Sequence, residues 1–271
     1  MDKIHINPLL TVVHRRVLHE YLRGEGRLTR EQWHMLREAI DLLEQSSLVI
    51  DEQEYKFKRF YNEFIDKRFA DPFLKALVGL ADVEREAMLL QAETAREIVT
   101  AVRQQEFYRR GDSNSHLLLT FCLYWWAAFA IGYTFEVEIF RDLEAAGMPF
   151  VSHDITNRDE RFSAYDLTVL DLRGDIKYST YFLTTEGTQT TEIDFFITRL
   201  FDEINACWEK VVFLTPTAWA AINGRTIPVG LQKVVSVFPK TVSVEIGLET
   251  FVIILYKEWK ERILKKRAQN D

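Results

Sequence analysis

The chain has 271 residues, 47% of them hydrophobic and 28% charged, which excludes a disordered or low-complexity protein and allows one large domain or two smaller ones. A formal net charge of -7 argues against a protein that coats nucleic acid through a general positive excess, while leaving room for a local basic groove beside a carboxylate-rich metal site. Cys122 and Cys207 have no paired spacing and no secretory leader pattern opens the sequence, so a reducing, cytoplasmic setting is expected.

Residues 1–112 read as a helical domain. Apolar stripes at helical spacing run through Leu9, Val12, Val13, Val17 and Leu18, then Leu36, Ile40 and Leu43, then Phe57, Phe60, Tyr61, Phe64 and Ile65. Thr29 followed by Glu31 and Gln32 predicts one helix start, and Asp71-Pro72 predicts another. Residues 82–109 continue as a charged helix, which the turn formers Gly111-Asp112-Ser113-Asn114-Ser115 end, and the domain boundary is placed there. Substrate binding, a protein partner or a second copy of the chain is the expected role of this domain.

The second domain, residues 117–271, changes pattern. Leu117 to Thr134 has no charged residue and reaches the lower length limit for a membrane span, but its Thr120, Tyr124, Trp125, Trp126 and Tyr133 dilute the apolar character, and Glu136 follows at once. A buried helix with no membrane contact is expected. Phe135 to Ala146 is helical until Gly147, Phe150 to Ile155 is a strand, Asp166 to Leu172 and Ile176 to Leu183 form a hairpin about Arg173-Gly174, and Ile193 to Cys207 carries a helical stripe. Val211 to Leu214 is an apolar strand, further strands are expected at Val234 to Phe238 and Val242 to Ile246, and a basic helix closes the chain near Lys266. The expected class is α+β, with the order αβββαβ around a mixed central sheet.

Asp175 and Lys177 are two residues apart on a predicted strand, so their side chains leave the same face. Asp166 lies on the partner strand at a separation that suits a tight hairpin. Carboxylates that hold a divalent metal, beside a lysine that stabilises a developing anion, are the minimum equipment for phosphodiester hydrolysis. Glu136 points with Ile139, Phe140 and Leu143 along the apolar side of its helix, whereas Glu138 points away. A buried carboxylate needs a hydrogen bond, a charge partner or a metal.

These residues resemble the restriction-endonuclease-like nucleases, the family of the Pro-Asp…(Asp/Glu)-x-Lys motif. Gly132-Tyr133-Thr134-Phe135-Glu136, with Leu143 and Gly147 downstream, is similar to the opening helix of that fold. Tyr165-Asp166 and Asp175-Ile176-Lys177 are similar to its second and third motifs, with Tyr165 in place of the nominal proline. The resemblance covers residues 117 to 215. It implies a nuclease acting on nucleic acid, DNA in preference to RNA, in defence or DNA processing. It also implies Mg2+, with Mn2+ as substitute, held by Glu136, Asp166, Asp175 and the Ile176 carbonyl, and catalytic roles for Glu136, Asp166, Asp175 and Lys177. The rival readings are an inactive protein that keeps the fold for interaction, and a membrane-associated protein anchored through 117–134.

Competing residues are few. Asp171 has the opposite parity to Asp166 and is expected in solvent. His153 and Asp154 sit on the preceding strand as further metal candidates. The six histidines and two cysteines show no zinc spacing, and neither a phosphate-cradling glycine loop nor a Gly-x-Ser-x-Gly elbow occurs. Tyr124, Trp125, Trp126 and Phe129 are read as core rather than as a base-stacking surface. Basic clusters occur at His14-Arg15-Arg16, Arg23 to Arg30, Arg109-Arg110, and Lys257 to Arg267.

Overall fold

Thr29 shows how local chemistry starts the helices of the first part of the chain. Its hydroxyl accepts from the Gln32 amide at 3.2 Å and its own amide donates to the Gln32 side chain at 2.8 Å, a reciprocal capping box. The computed structural model describes residues 3–23, 28–180, 193–202, 205–222, 227–228, 241–246 and 249–270. They divide into two units, Met1–Ala130 and Ile131–Asp271.

The first unit contains β1 (Ile4–His5), α1 (Val12–Arg23), α2 (Arg30–Glu44), β2 (Ser47–Ile50), β3 (Gln53–Lys56), α3 (Phe57–Phe60), a π-helical turn Tyr61–Asp66, α4 (Lys67–Gly79) and α5 (Val83–Arg103). The three short antiparallel strands are an addition to the helices that the sequence predicts. Asp51 and Glu52 adopt φ of 48° and 65° between β2 and β3, the backbone that a two-residue hairpin requires. Asp71-Pro72 does not start a helix. Pro72 lies inside α4, where burial of Phe69, Phe73, Leu74 and Leu77 outweighs the missing backbone donor.

Asp112 caps α6 (Ser113–Ala145) by accepting from the Ser115 amide at 2.8 Å, just after Gly111 turns the chain at φ 83°. α6 joins the two predicted helices around residue 134 into one, and the division between the units falls within it rather than at the turn before it. Its apolar window is long enough to cross a membrane, and half of that window is buried inside the fold. Within the first unit, Phe121 packs edge-on against Phe57 at 5.7 Å and Trp126 against Phe73 at 5.0 Å, so these rings are core.

In the second unit α6 ends at a left-handed Gly147 (φ 66°), whose neighbour Met148 donates back to the Leu143 carbonyl at 3.0 Å. Then follow β4 (Val151–Ser152), a 3-10 turn Glu160–Phe162, β5 (Leu167–Val169), β6 (Leu172–Ile176), β7 (Phe195–Asp202), β8 (Cys207–Leu214), α7 (Pro216–Ile222), β9 (Ile227–Pro228), β10 (Val242–Ile246), β11 (Glu249–Leu255) and α8 (Tyr256–Asn270). Among the described residues the strands form one mixed sheet, in the order β4-β5-β6-β7-β8-β11-β10-β9. β6 with β7 and β9 with β10 are parallel, and the other pairs are antiparallel. The protein is thus α+β with a mixed sheet.

Two expectations are corrected here. Where a helix is predicted over Ile193 to Cys207, Phe195–Asp202 is strand β7, which pairs antiparallel with β8. Phe195 and Ile197 enter a core with Phe135, Ile139 and Leu143 of α6 and Trp259 of α8, while Phe196 enters a second core with Phe213 and Phe251 on the other face. A strand buried on both faces loses its alternation, and its aromatic and β-branched residues then mimic a helical stripe. The β5–β6 turn is Leu170-Asp171, at φ of 51° and 63°, not Arg173-Gly174, which lies in β6. The predicted strand Val234 to Phe238 and the end of Ile176 to Leu183 lie outside the described residues.

Candidate functional site

Asp166 sits just before β5 and is fastened on both sides by backbone. Its amide donates to the Gly174 carbonyl at 2.9 Å, and its carbonyl accepts from the His153 amide at 3.0 Å. The β5–β6 register runs from Val169↔Leu172 to Leu167↔Gly174, so the next position sets Asp166 beside Asp175. Asp166 Oδ2 accepts from the Ile176 amide at 2.6 Å, and the charge of Asp166 acts on the Asp175 carboxyl beside it. Lys177 extends β6 by donating its amide to the Ile197 carbonyl at 2.9 Å, and its Nζ donates to Asp175 Oδ1 at 2.7 Å.

Glu136 reaches this cluster from α6. It is buried, and its Oε1 lies 2.5 Å from His153 Nε2. The other ring nitrogen, Nδ1, is 3.9 Å from Asp166 Oδ1 and has no hydrogen-bond partner among the described residues. One ligand atom each from Glu136, His153 and Asp166 fall within 4.8 Å of one another. Asp154 stands apart, its carboxylate accepting from the Thr156 amide and hydroxyl at 2.8 and 2.7 Å, and Asp171 is exposed on its turn. The Ile176 side chain is part of the core, so only its backbone is available to the site.

Electrostatics follow from three carboxylates in a confined space. Burial and the charge of Glu136 raise the Asp166 pKa against the opposing pull of Asp175, Lys177 and the Ile176 amide. Burial and Asp166 together push Asp175 up to about 7, although Lys177 opposes them. For Lys177, burial favours the neutral amine, but Asp175, Asp166 and Glu136 outweigh it and hold the ammonium charged. For His153, burial lowers the pKa, and the bond and charge of Glu136 with the charges of Asp166 and Glu160 reverse that to a net rise.

Glu136, His153 and Asp166 form a group that could hold a metal ion. Carboxylate oxygens suit Mg2+ or Mn2+, such an ion would relieve the repulsion between Asp166 and Asp175, and His153 Nδ1, which has no hydrogen-bond partner among the described residues, lies 3.9 Å from Asp166 Oδ1. His153 is the residue that sequence reading undervalued. Its signal was the need of Glu136 for a partner, and its place on the strand next to Asp166.

Gly174 sets the backbone under Asp175. A Cβ there would lie 2.2 Å from Cζ of Phe195, the residue opposite it in the parallel β6–β7 pair. Phe195 is fully buried and packs against Trp259 at 5.3 Å, so its ring has little room to yield. Gly174→Ala should therefore lose about 1–3 kcal/mol of stability by overpacking. Thermal unfolding of the variant beside wild type would show it, and an unchanged Tm would mean that the Phe195 ring adapts freely.

No family model matches the chain, and neither does any curated protein or solved structure.

Proposed function

We propose that the second unit is a divalent-metal-dependent nuclease core that hydrolyses phosphodiester bonds of nucleic acid, DNA in preference to RNA. The observation that carries this reading is the convergence of Asp166, Asp175 and Lys177 from adjacent strands, with Glu136 and His153 closing the cluster. In the hydrolysis the oxygen of water bonds to phosphorus, the bond from phosphorus to one sugar oxygen breaks, and that oxygen takes up a proton.

Asp166 and Asp175 would hold Mg2+ or Mn2+, with Glu136 and the Ile176 carbonyl as further donors. When bound, the ion supplies charge for the phosphate oxygens and lowers the pKa of water. Lys177, anchored at 2.7 Å to Asp175, presents a fixed positive charge where negative charge develops, and needs no rearrangement to do so. His153 orients Glu136 through Nε2, a supporting contact of the kind that fixes metal ligands. The first unit has the role of binding substrate or a partner.

A second reading has one observation in its favour. Glu136 with His153 and Asp175 with Lys177 are each paired within the chain, so the cluster is partly self-neutralised, as in a protein that keeps the fold for interaction alone. The test is incubation of the full chain with duplex, single-stranded and branched DNA and with RNA, in Mg2+, Mn2+ or chelator, alongside thermal unfolding. Metal-dependent cleavage is expected, together with a Tm that rises with Mg2+, because an ion bound only by the folded state stabilises it by mass action. No cleavage of any substrate in either metal would leave the interaction reading in its place.

A further inference from the structure

Beyond Lys177 the sheet carries a stack that the chemistry above does not use. Tyr178, Arg199 and Trp208 come from three neighbouring segments. The Arg199 guanidinium lies 3.4 Å from the Tyr178 ring centroid and 4.3 Å from that of Trp208. Phe201 meets Trp208 edge-on at 5.4 Å across the β7–β8 register. Arg199 is half-buried, and its Nε has no hydrogen-bond partner among the described residues. Trp208, by contrast, is 55% exposed, although it is the residue type with most apolar surface to lose to water.

The stack lies on the sheet face that carries Phe135 and Ile197, whereas Asp175 pairs with Phe196 on the opposite face. Tyr178 follows Lys177 and packs edge-on at 5.8 Å against Phe135, the neighbour of Glu136. Lys210, opposite Arg199 in register, lies 5.9 Å over the same Phe135 ring and 3.5 Å from Glu138. Aromatic rings interleaved with cations suit a chain of flat bases and anionic phosphates. A base inside a duplex has both faces covered by its neighbours, so an open indole selects an unpaired base.

We infer that Trp208, held by Arg199 and Phe201, is a stacking platform for an unpaired base, so that the protein takes single-stranded nucleic acid along β7–β8. This names the substrate class of the proposed nuclease and rests on that reading for its purpose, though not for the binding itself. The platform predicts a preference for a single strand over a duplex, set by Trp208.

The experiment measures fluorescence anisotropy of labelled oligothymidylate, oligouridylate and a blunt duplex against the full-length protein in chelator, for wild type, Trp208→Ala and Trp208→Phe. Tm, sedimentation and Mg2+-dependent cleavage are followed in parallel. Trp208→Ala should weaken single-strand binding about tenfold, within a range of about fivefold to about a hundredfold, and Trp208→Phe should restore most of it. Tm and duplex binding should hardly change, and the two single strands report whether the sugar matters. Equal single-strand binding by wild type and Trp208→Ala overturns the inference, as does tighter binding of the duplex or a Trp208-dependent dimer. Cleavage of duplex without single-strand binding overturns it while leaving the nuclease reading intact. Trp208-dependent binding without any cleavage upholds the platform and removes the nuclease reading.

Discussion

Asp175→Asn should lower Mg2+-dependent cleavage about a thousandfold or more and at the same time make the metal-free protein more stable. The first effect follows from loss of a charged oxygen donor, because metal charge supplies several kcal/mol to phosphoryl chemistry and each 1.4 kcal/mol is about a factor of ten in rate. The second follows from the buried contact of Asp175 with Asp166, in which two carboxyls repel and burial disfavours the charged form of both. Asparagine keeps the shape and removes one charge. In chelator the Tm should rise by about 2–4 °C for each kcal/mol relieved, and the rise should shrink when Mg2+ stabilises wild type instead. A variant that cuts as fast as wild type would remove Asp175 from the chemistry. A Tm that falls in chelator would show that the Asp175–Lys177 pair matters more to the fold than the repulsion.

Lys177→Met should behave differently. It keeps most of the side-chain volume and all the carboxylates, so the rise in Tm with Mg2+ should persist, while turnover drops about 100- to 1000-fold through loss of one preorganised charge. Cleavage rates at saturating substrate and Mg2+ titrations by thermal shift separate the two roles. If Lys177→Met loses the response to Mg2+ as well, the lysine is a structural partner of Asp175 rather than a stabiliser of the transition state.

The site was legible where its residues obey a short period. Asp175 and Lys177 are two apart in a strand, and Asp166 is the hairpin neighbour of Asp175, so parity and register alone bring them together. The hairpin turn was misplaced, because Gly174 suggests a turn, whereas its real task is to leave room for Phe195. A side chain seventeen positions away on another element has no period to betray it, and the His153–Glu136 contact was missed for that reason. The end of α6 was readable from Gly147, since left-handed backbone selects glycine. β7 was not, because two cores claim its successive residues and erase alternation. The small sheet of the first unit has strands of two to four residues, too short for any periodicity to emerge.

The β5–β6 hairpin has a kinetic consequence. Its two strands are joined by Leu170-Asp171 alone, and such a local element forms within about 1–10 μs, long before distant segments find each other. β7 joins β6 in parallel, which demands closure of a longer loop and is intrinsically slower. Asp166 and Asp175 therefore come side by side when the hairpin forms, before β7 pairs with β6 and before Glu136 and His153 arrive. Water still screens the pair at that stage. The electrostatic penalty comes due only as the barrier to the native state is crossed, so a cation captured by the half-built hairpin would speed the last step of folding as well as stabilise its product.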